Sequence, residues 1–352
     1  MQFSVMLTIT AMNCIIFLLK KGLIVLKNIK RLTAAVLAIA VLFAFASCGE
    51  NPETPVVDGD ITEAYSSYVR ETKTKIAAVD GAIGFGITKF SVDRAYNYET
   101  EFLADAGEVV SRLKAGTADI GTLPVSEAAK LYNETNGAIK LLAVTGLGFY
   151  YVVENGEKIQ SISDLKGKTV YAAYKGTAFE QMINYIFVQN GIDPEKDIKL
   201  EFKATDKEVA ELTAGGEAIC ILPEPYASNV LINETSYRKA VSFNDEWNKI
   251  SETPLAQSVI VARTEYIEAN PDIIKEFISF NKISVNYLTG DTYGAPVFLK
   301  DNGFCETAVL ATSLISSLNL IYINGEELKA SVGKVLADVY EISVDDAFYY
   351  GI

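Results

Sequence analysis

Hydrophobic and polar positions along the chain follow one plan twice. Residues 113–124 align with residues 212–223 at a constant offset of 99, and the upstream Phe102 recurs as Phe202 at an offset of 100. Each copy predicts a strand, an amphipathic helix, a short apolar strand and a Leu-Pro step that opens another helix. A unit present once in each half predicts two similar α/β lobes, and two such lobes predict a cleft in which a ligand can bind.

Further elements are predicted from the alternation of short apolar runs with amphipathic segments. Strands are expected at residues 75–79, 98–104, 120–123, 139–145, 149–153, 198–202, 219–222 and 257–262. Helices are expected at residues 108–114, from 126 onward, at 177–190 and 208–212, and near 271–288, 306–318 and 326–341. Strands that alternate with helices predict sheets covered by helices on both faces.

The C-terminal helices are expected to close the first lobe, which makes that lobe discontinuous in sequence. Lobe I is therefore predicted to contain residues 73–150 and 258–352, and lobe II residues 151–257. Two connecting strands, near residues 149–153 and 258–262, are predicted to form the hinge.

The first 72 residues have the pattern of an export signal and a tether. Basic residues at 27–31 precede an apolar run at 32–45, which is shorter than the ~20 residues that span a bilayer. We therefore interpret residues 1–47 as an N-terminal extension plus a signal peptide, and residues 48–72, which are polar and Pro-rich, as a flexible tether. A second apolar stretch at 3–19 is either a membrane helix or part of an upstream extension from a misplaced start.

The small residues before Cys48 resemble a bacterial lipobox, in which the cysteine is lipidated and becomes the mature N-terminus. An ordinary cleaved signal followed by an incidental cysteine is the alternative. The other two cysteines beyond the signal, Cys220 and Cys305, lie in or beside apolar patterns. Two buried thiols are therefore expected rather than a disulfide.

Charge and composition exclude several classes of protein. Residues 1–47 contain five basic and no acidic side chains, so the rest of the chain has 26 basic and 45 acidic residues and a net charge of −19. Such a surface repels phosphate backbones, and nucleic-acid binding is not expected. Histidine is absent, which removes the commonest general base and zinc ligand. No metal site, no cofactor and no catalytic residues are predicted.

Several segments resemble the solute-binding proteins of ABC importers, in the group related to nitrate, sulfonate, taurine and thiamine-precursor binding proteins. These segments are residues 75–86, 108–133, 142–154, 164–168, 222–226 and 345–350. The resemblance implies the two-lobed type II periplasmic-binding-protein fold. It also implies a monomer, lipid-anchored on the extracytoplasmic side of a bacterial cell membrane, that passes a small solute to permease and ATPase subunits without chemistry.

Two alternatives stay open beside this interpretation. An extracytoplasmic ligand sensor would have the same sequence features as an importer component. Related pyrimidine-synthesising enzymes use a pyridoxal-linked lysine and a histidine, and the missing histidine disfavours such an enzyme here.

Candidate ligand-binding residues follow from the rule that open α/β sheets bind ligands beyond the carboxyl ends of their strands, where helix N-termini favour acceptors. In lobe I the rule nominates Asp80, Gly81, Ala82, Phe85, Pro124, Val125, Ser126, Thr145 and Gly146. In lobe II it nominates Tyr174, Gly176, Thr177, Glu224, Pro225 and Tyr226. The glycines around Phe85 permit a tight turn and a close backbone approach by a ligand.

Each nominated side chain also has a structural interpretation. Ser126 and Thr177 could donate to a ligand or cap their helices. Phe85, Tyr174 and Tyr226 could clasp a planar ring or pack in the core.

The nature of the solute is open at this stage. Glu224 would suit an amine or ring N–H, or it is a solvated acid at a helix start. Arg94, Arg112, Arg238 and Arg263 are predicted to lie away from the nominated loops, which favours a heteroaromatic solute over a sulfonate or nitrate.

Overall fold

The computed structural model describes residues 69–351. The predicted signal peptide, the predicted lipidation at Cys48 and all but the last residues of the predicted tether lie outside this range. Within it, none of the helices has the length and apolar character needed to cross a bilayer.

The described residues form two sheets. The strands are β1 (Thr74–Val79), β2 (Tyr98–Leu103), β3 (Ile120–Pro124), β4 (Ile139–Gly146), β5 (Tyr150–Asn155), β6 (Thr169–Ala173), β7 (Lys199–Lys203), β8 (Ile219–Pro223), β9 (Tyr237–Ser242), β10 (Ser258–Arg263) and β11 (Leu320–Ile323). The first sheet has the order β11-β4-β10-β3-β1-β2 and the second the order β7-β6-β8-β5-β9. Both belong to one compact unit.

Helices connect and cover these strands. They are α1 (Thr88–Asp93), α2 (Ala106–Lys114), α3 (Val125–Glu134), α4 (Ala178–Gln189), α5 (Asp206–Glu211), α6 (Tyr226–Asn233), α7 (Phe243–Asn248), α8 (Thr264–Ala269), α9 (Pro271–Gly290), α10 (Gly294–Asp301), α11 (Ala308–Ser317) and α12 (Glu326–Asp338). Short 3₁₀ turns occur at Phe85–Ile87, Ile162–Leu165, Leu212–Gly215 and Asp346–Phe348.

The sequence repeat is also a structural repeat. Strand β1 lies between β2 and β3 in parallel, and β6 lies between β7 and β8 in the same way. The first helix of each copy is capped alike: Asp105 accepts a bond from Glu108 N (3.0 Å), and Thr205 accepts one from Glu208 N (3.2 Å). The Leu-Pro steps precede helices α3 and α6, as predicted.

Each sheet contains one inserted antiparallel strand, and this strand defines the topology. The chain leaves the first sheet after β4, enters the second through β5, and returns through β10, which pairs antiparallel with β3 and β4. β5 likewise pairs antiparallel with β8 and β9. The strand that arrives from the other lobe is therefore the inserted one in both sheets, which confirms the predicted two-lobed α/β fold with two connecting strands.

The cores lie on both faces of each sheet. Phe90 packs edge-on against Tyr98 and Phe277 beneath the first sheet, with ring centroids 4.8 and 4.9 Å away. Trp247 is fully buried in the second lobe. Cys220 and Cys305 are buried free thiols, and burial raises the pKa of Cys220 to about 12 and that of Cys305 to about 11, so both are protonated at neutral pH.

Several elements differ from the sequence-based prediction. The short elements α1, α7, α8, α10, β9 and β11 were not predicted, because runs of four to eight residues have weak periodicity. The helix expected to reach residue 341 ends at Asp338, and Glu341 has a left-handed φ of 54° that stops a helix.

Candidate functional site

The carboxyl ends of the parallel strands in both sheets carry the nominated residues. After β1, the chain turns through Gly81, whose φ of 82° requires a glycine, and Asp80 N bonds to Leu103 O at 2.8 Å. Gly86 lies so close to Thr145 that a β-carbon on it would be 2.7 Å from the Thr145 Cβ. This packing brings the turn after β1 against the end of β4.

Of the two hydroxyl residues that could cap a helix, neither does so with its side chain. Helix α3 begins at Val125 with Pro124 as its N-cap, so Ser126 is a buried residue inside the first turn. Thr177 does occupy the N-cap position of α4. Its hydroxyl, however, donates to the Tyr174 carbonyl at 2.7 Å instead of accepting from the helix.

The aromatic nominees have different surroundings. Phe85 is 5% exposed and packs in an apolar cluster with Leu310 and Leu314, so core packing describes it. Tyr174 is 41% exposed and has a left-handed φ of 58°, so the core interpretation is wrong for it. Tyr226, the first residue of α6, is half-buried. The two tyrosines therefore present ring surface that a ligand could cover.

Glu224 is not a solvated acid, because its side chain is completely buried. Its carboxylate pairs with Lys239 and accepts bonds from Ser228 N (3.1 Å) and Ser228 Oγ (3.0 Å). An unpaired carboxylate could not be buried at an acceptable cost, and this network supplies the compensation.

The network around Glu224 also crosses between the lobes. Lys239 Nζ on β9 donates to Ser317 Oγ at 2.6 Å, and the hydroxyls of Ser228 and Ser313 lie 2.7 Å apart. Ser313 and Ser317 belong to α11, which packs on the first lobe. These contacts hold α11 against the second sheet.

A cavity of about 260 Å³ opens beside this network. Its first-lobe wall includes Asp80, Phe85, Phe304 and Glu306, and its second-lobe wall includes Pro225 and Asn229. The lining is mostly apolar, and its charged side chains are acidic. Both lobes therefore contribute to one cavity. Its lining contains the nominated Asp80, Gly81, Ala82, Phe85 and Pro225, and the other nominated residues lie outside the lining.

Aromatic side chains surround the start of β5, where the chain crosses into the second lobe. The ring of Tyr150 stacks on Phe179 with a centroid distance of 4.4 Å. Burial, together with the negative charge of Asp206, raises the pKa of Tyr150 well above its ordinary value. Tyr174 and Tyr340 also act electrostatically on Tyr150 and raise its pKa further.

Asp206 lies beside these rings at the carboxyl end of β7. It is 6% exposed, and its Oδ1 has no hydrogen-bond partner among residues 69–351. Burial raises the pKa of Asp206 to about 7, although a hydrogen bond from Tyr174 acts in the opposite direction.

The arginines do not form an anion clamp. Those of the described chain bond elsewhere: Arg70 to Glu276, Arg94 to Tyr96, Arg112 to Glu101, Arg238 to Glu154 and Arg263 to Asp119. The predicted separation of Arg94, Arg112, Arg238 and Arg263 from the nominated loops agrees with these partners. Nor does any cluster of metal-ligating side chains occur in the part of the chain that the structure describes.

Residues 92–277, more than half of the chain, match a family model described as "ABC transporter, phosphonate, periplasmic substrate-binding protein". The chain belongs to this family. Its members are solute-binding proteins of transporters and not enzymes, and the family implies an extracytoplasmic location. This substrate-binding protein has no match among curated protein sequences.

Solved structures share the fold of this substrate-binding protein. An ABC transporter protein from Parabacteroides distasonis superposes with a TM-score of 0.67 at 18% identity, covering 79% of this chain and 99% of that one. The aliphatic sulphonate-binding protein SsuA of Escherichia coli gives 0.58 at 16% identity, covering 78% and 92%. The alkanesulfonate-binding SsuA of Xanthomonas axonopodis, bound to MOPS, gives 0.54 at 12% identity, covering 77% and 94%.

Sequence reasoning missed Asn229, Phe304 and Glu306 in the cavity lining, and it missed Asp206 beside Tyr174. One signal could have identified Asp206. It follows the end of β7 by three residues and starts helix α5. The strand-end rule was applied to the other parallel strands but not to β2 or β7.

Proposed function

We propose that the substrate-binding protein captures a small solute between its lobes, closes on it, and delivers it unaltered to an ABC permease, acting as a monomer. The observation that carries this proposal is the cavity of about 260 Å³ walled by both lobes. Its volume is just below the range of about 300–1,000 Å³ typical of small-molecule sites. A solute held there would contact Phe85 on one side and Pro225 on the other, so it would stabilise the closed arrangement.

The hinge in this proposal consists of the two crossings between the sheets. Gln257, just before β10, ties them together: its side chain accepts a bond from Phe149 N (3.2 Å), and its own N–H donates to Gly146 O (3.1 Å). Lobe I would then contain residues 73–150 and 258–352, and lobe II residues 151–257. Rotation about two short, mutually bonded segments permits closure without a change in either core.

The ligand-binding residues proposed are those nominated from the strand ends, with Tyr174 and Tyr226 as ring contacts. A small-molecule extract of bacterial cells should raise the melting temperature, because a ligand that binds only the native state stabilises it. Tyr174→Ala and Tyr226→Ala should erase the shift. Tyr293→Ala, at a tyrosine that is 83% exposed and not among the nominated residues, is the matched control. A full shift in all three variants would remove these tyrosines from the site.

We further propose that Cys48 is lipidated and anchors the protein to the membrane, with residues 48–72 as a tether. The lipobox-like residues before Cys48 support this proposal. Cys48→Ser should move the protein from the membrane fraction to the soluble fraction, whereas Cys305→Ser should not. Unchanged membrane retention of processed Cys48→Ser would refute the anchor.

A further inference from the structure

One buried carboxylate of this protein differs from the others. Four acidic side chains are less than 9% exposed among the residues that the structure describes, and three of them form ion pairs. Glu154 pairs with Arg238, Glu224 with Lys239, and Glu246 with Lys249. Asp206 has no basic partner, and its Oδ1 has no hydrogen bond. The hydroxyl of Tyr174 hydrogen-bonds to the carboxyl group of Asp206, but the second oxygen of a buried carboxyl group is costly to leave unpaired, so Oδ1 requires a further explanation.

The surroundings of Asp206 suggest what its missing partner is. Tyr150 and Tyr174 are its electrostatic neighbours, and Tyr174 is in turn a neighbour of Tyr226. Phe179 stacks on Tyr150. Aromatic faces attract cations, and a carboxylate among aromatic rings recognises a positively charged or N–H-bearing group.

We propose that Asp206 is the specificity-determining residue of the cleft, and that it pairs with a protonated amine or ring N–H of an aromatic solute held by Tyr150, Tyr174 and Tyr226. This inference rests on the proposed function, because it assumes that a solute enters the cleft. Without a solute, burial favours the protonated form of Asp206 and raises its pKa. Binding a cationic solute would return the charge to Asp206.

An anionic solute, such as a phosphonate, would need a different residue. Lys175 is exposed in the same loop as Tyr174, between two nominated positions. Lys239 is already paired with Glu224. An anion would therefore depend on Lys175, whereas an amine would depend on Asp206, and the two possibilities can be separated by mutation.

The test uses two probes with the same ring and opposite charge, benzylamine and benzylphosphonate, added to the purified protein at pH 8. We expect benzylamine to raise the melting temperature of the native protein and of Lys175→Met, and to bind Asp206→Asn at least about 10-fold more weakly. Circular dichroism of Asp206→Asn confirms that this nearly isosteric variant is folded.

Two results would overturn the assignment. One is a shift produced by benzylphosphonate and lost in Lys175→Met, and the other is no shift with benzylamine. If a cell extract still stabilises the protein through Tyr174 and Tyr226, only the solute class is wrong. If no extract does, the proposed function itself fails.

Discussion

The contact between Lys239 and Ser317 joins the two lobes and can be removed without disturbing either core. Ser317 is 7% exposed on α11, and its Oγ accepts a bond of 2.6 Å from Lys239 Nζ. Ser317→Ala removes that acceptor while leaving Lys239 paired with Glu224 and bonded to Ser228. The closed arrangement should therefore lose stability relative to an open one, in which water can hydrate the lysine.

The size of the effect follows from the kind of bond. A hydrogen bond to a charged group contributes about 1.5–3 kcal/mol. Because Lys239 keeps two other partners in the variant, the expected loss is near the lower end, about 1–2 kcal/mol. That loss lowers the ratio of closed to open molecules by a factor of roughly 5–30.

The measurement compares Ser317→Ala with Ser316→Ala, the same substitution one residue earlier on the same helix. Ser316 is exposed, and its hydroxyl bonds only within the helix, to Ser313 O. Urea denaturation should show a lower free energy of unfolding for Ser317→Ala and a change within about 0.5 kcal/mol for Ser316→Ala. Small-angle scattering should show a larger radius of gyration for Ser317→Ala alone. Indistinguishable variants would refute the role assigned to this contact.

Two other predictions concern stability. Burial raises the pKa of Asp206 from 3.8 to about 7. The stability that its carboxyl group contributes to the folded protein is therefore fully present below about pH 4 and is lost as the pH rises through 7. Between pH 4 and pH 8 the free energy of unfolding of Asp206→Asn should therefore rise by roughly 2–4 kcal/mol relative to that of the native protein. If urea denaturation gave the same pH dependence of this free energy for both proteins, the prediction would be contradicted. Gly86→Ala should cost about 1–3 kcal/mol, because its Cβ would lie 2.7 Å from Thr145 Cβ. Both glycine variants are measured by thermal unfolding. Gly290→Ala should lose no stability, because no atom lies within 4 Å of the added Cβ, and equal losses of stability in the two variants would exclude the steric explanation.

Much of the fold was predictable because its signals are local. The repeat at an offset of 99 set the strand, helix and strand order of each lobe, and β3 and β8 occupy equivalent places in their sheets. The Leu-Pro steps marked the starts of α3 and α6, because a proline favours the beginning of a helix and not its interior. The first residues of α3 and α4, near Ser126 and Thr177, were not fixed by the sequence pattern, because several polar residues close together can each serve as an N-cap.

Amino-acid types and their spacing were thus sufficient for the two-lobed α/β architecture and for the buried state of both thiols. The partners of the charged side chains were decided by packing between distant parts of the chain. Ser228 and Ser313 are 85 residues apart, and Glu224 finds Lys239 on a strand that sequence patterns did not predict. Asp206 is an ordinary helix-start acid in the sequence. It becomes a candidate recognition group only because folding buries it and leaves its Oδ1 without a hydrogen-bond partner.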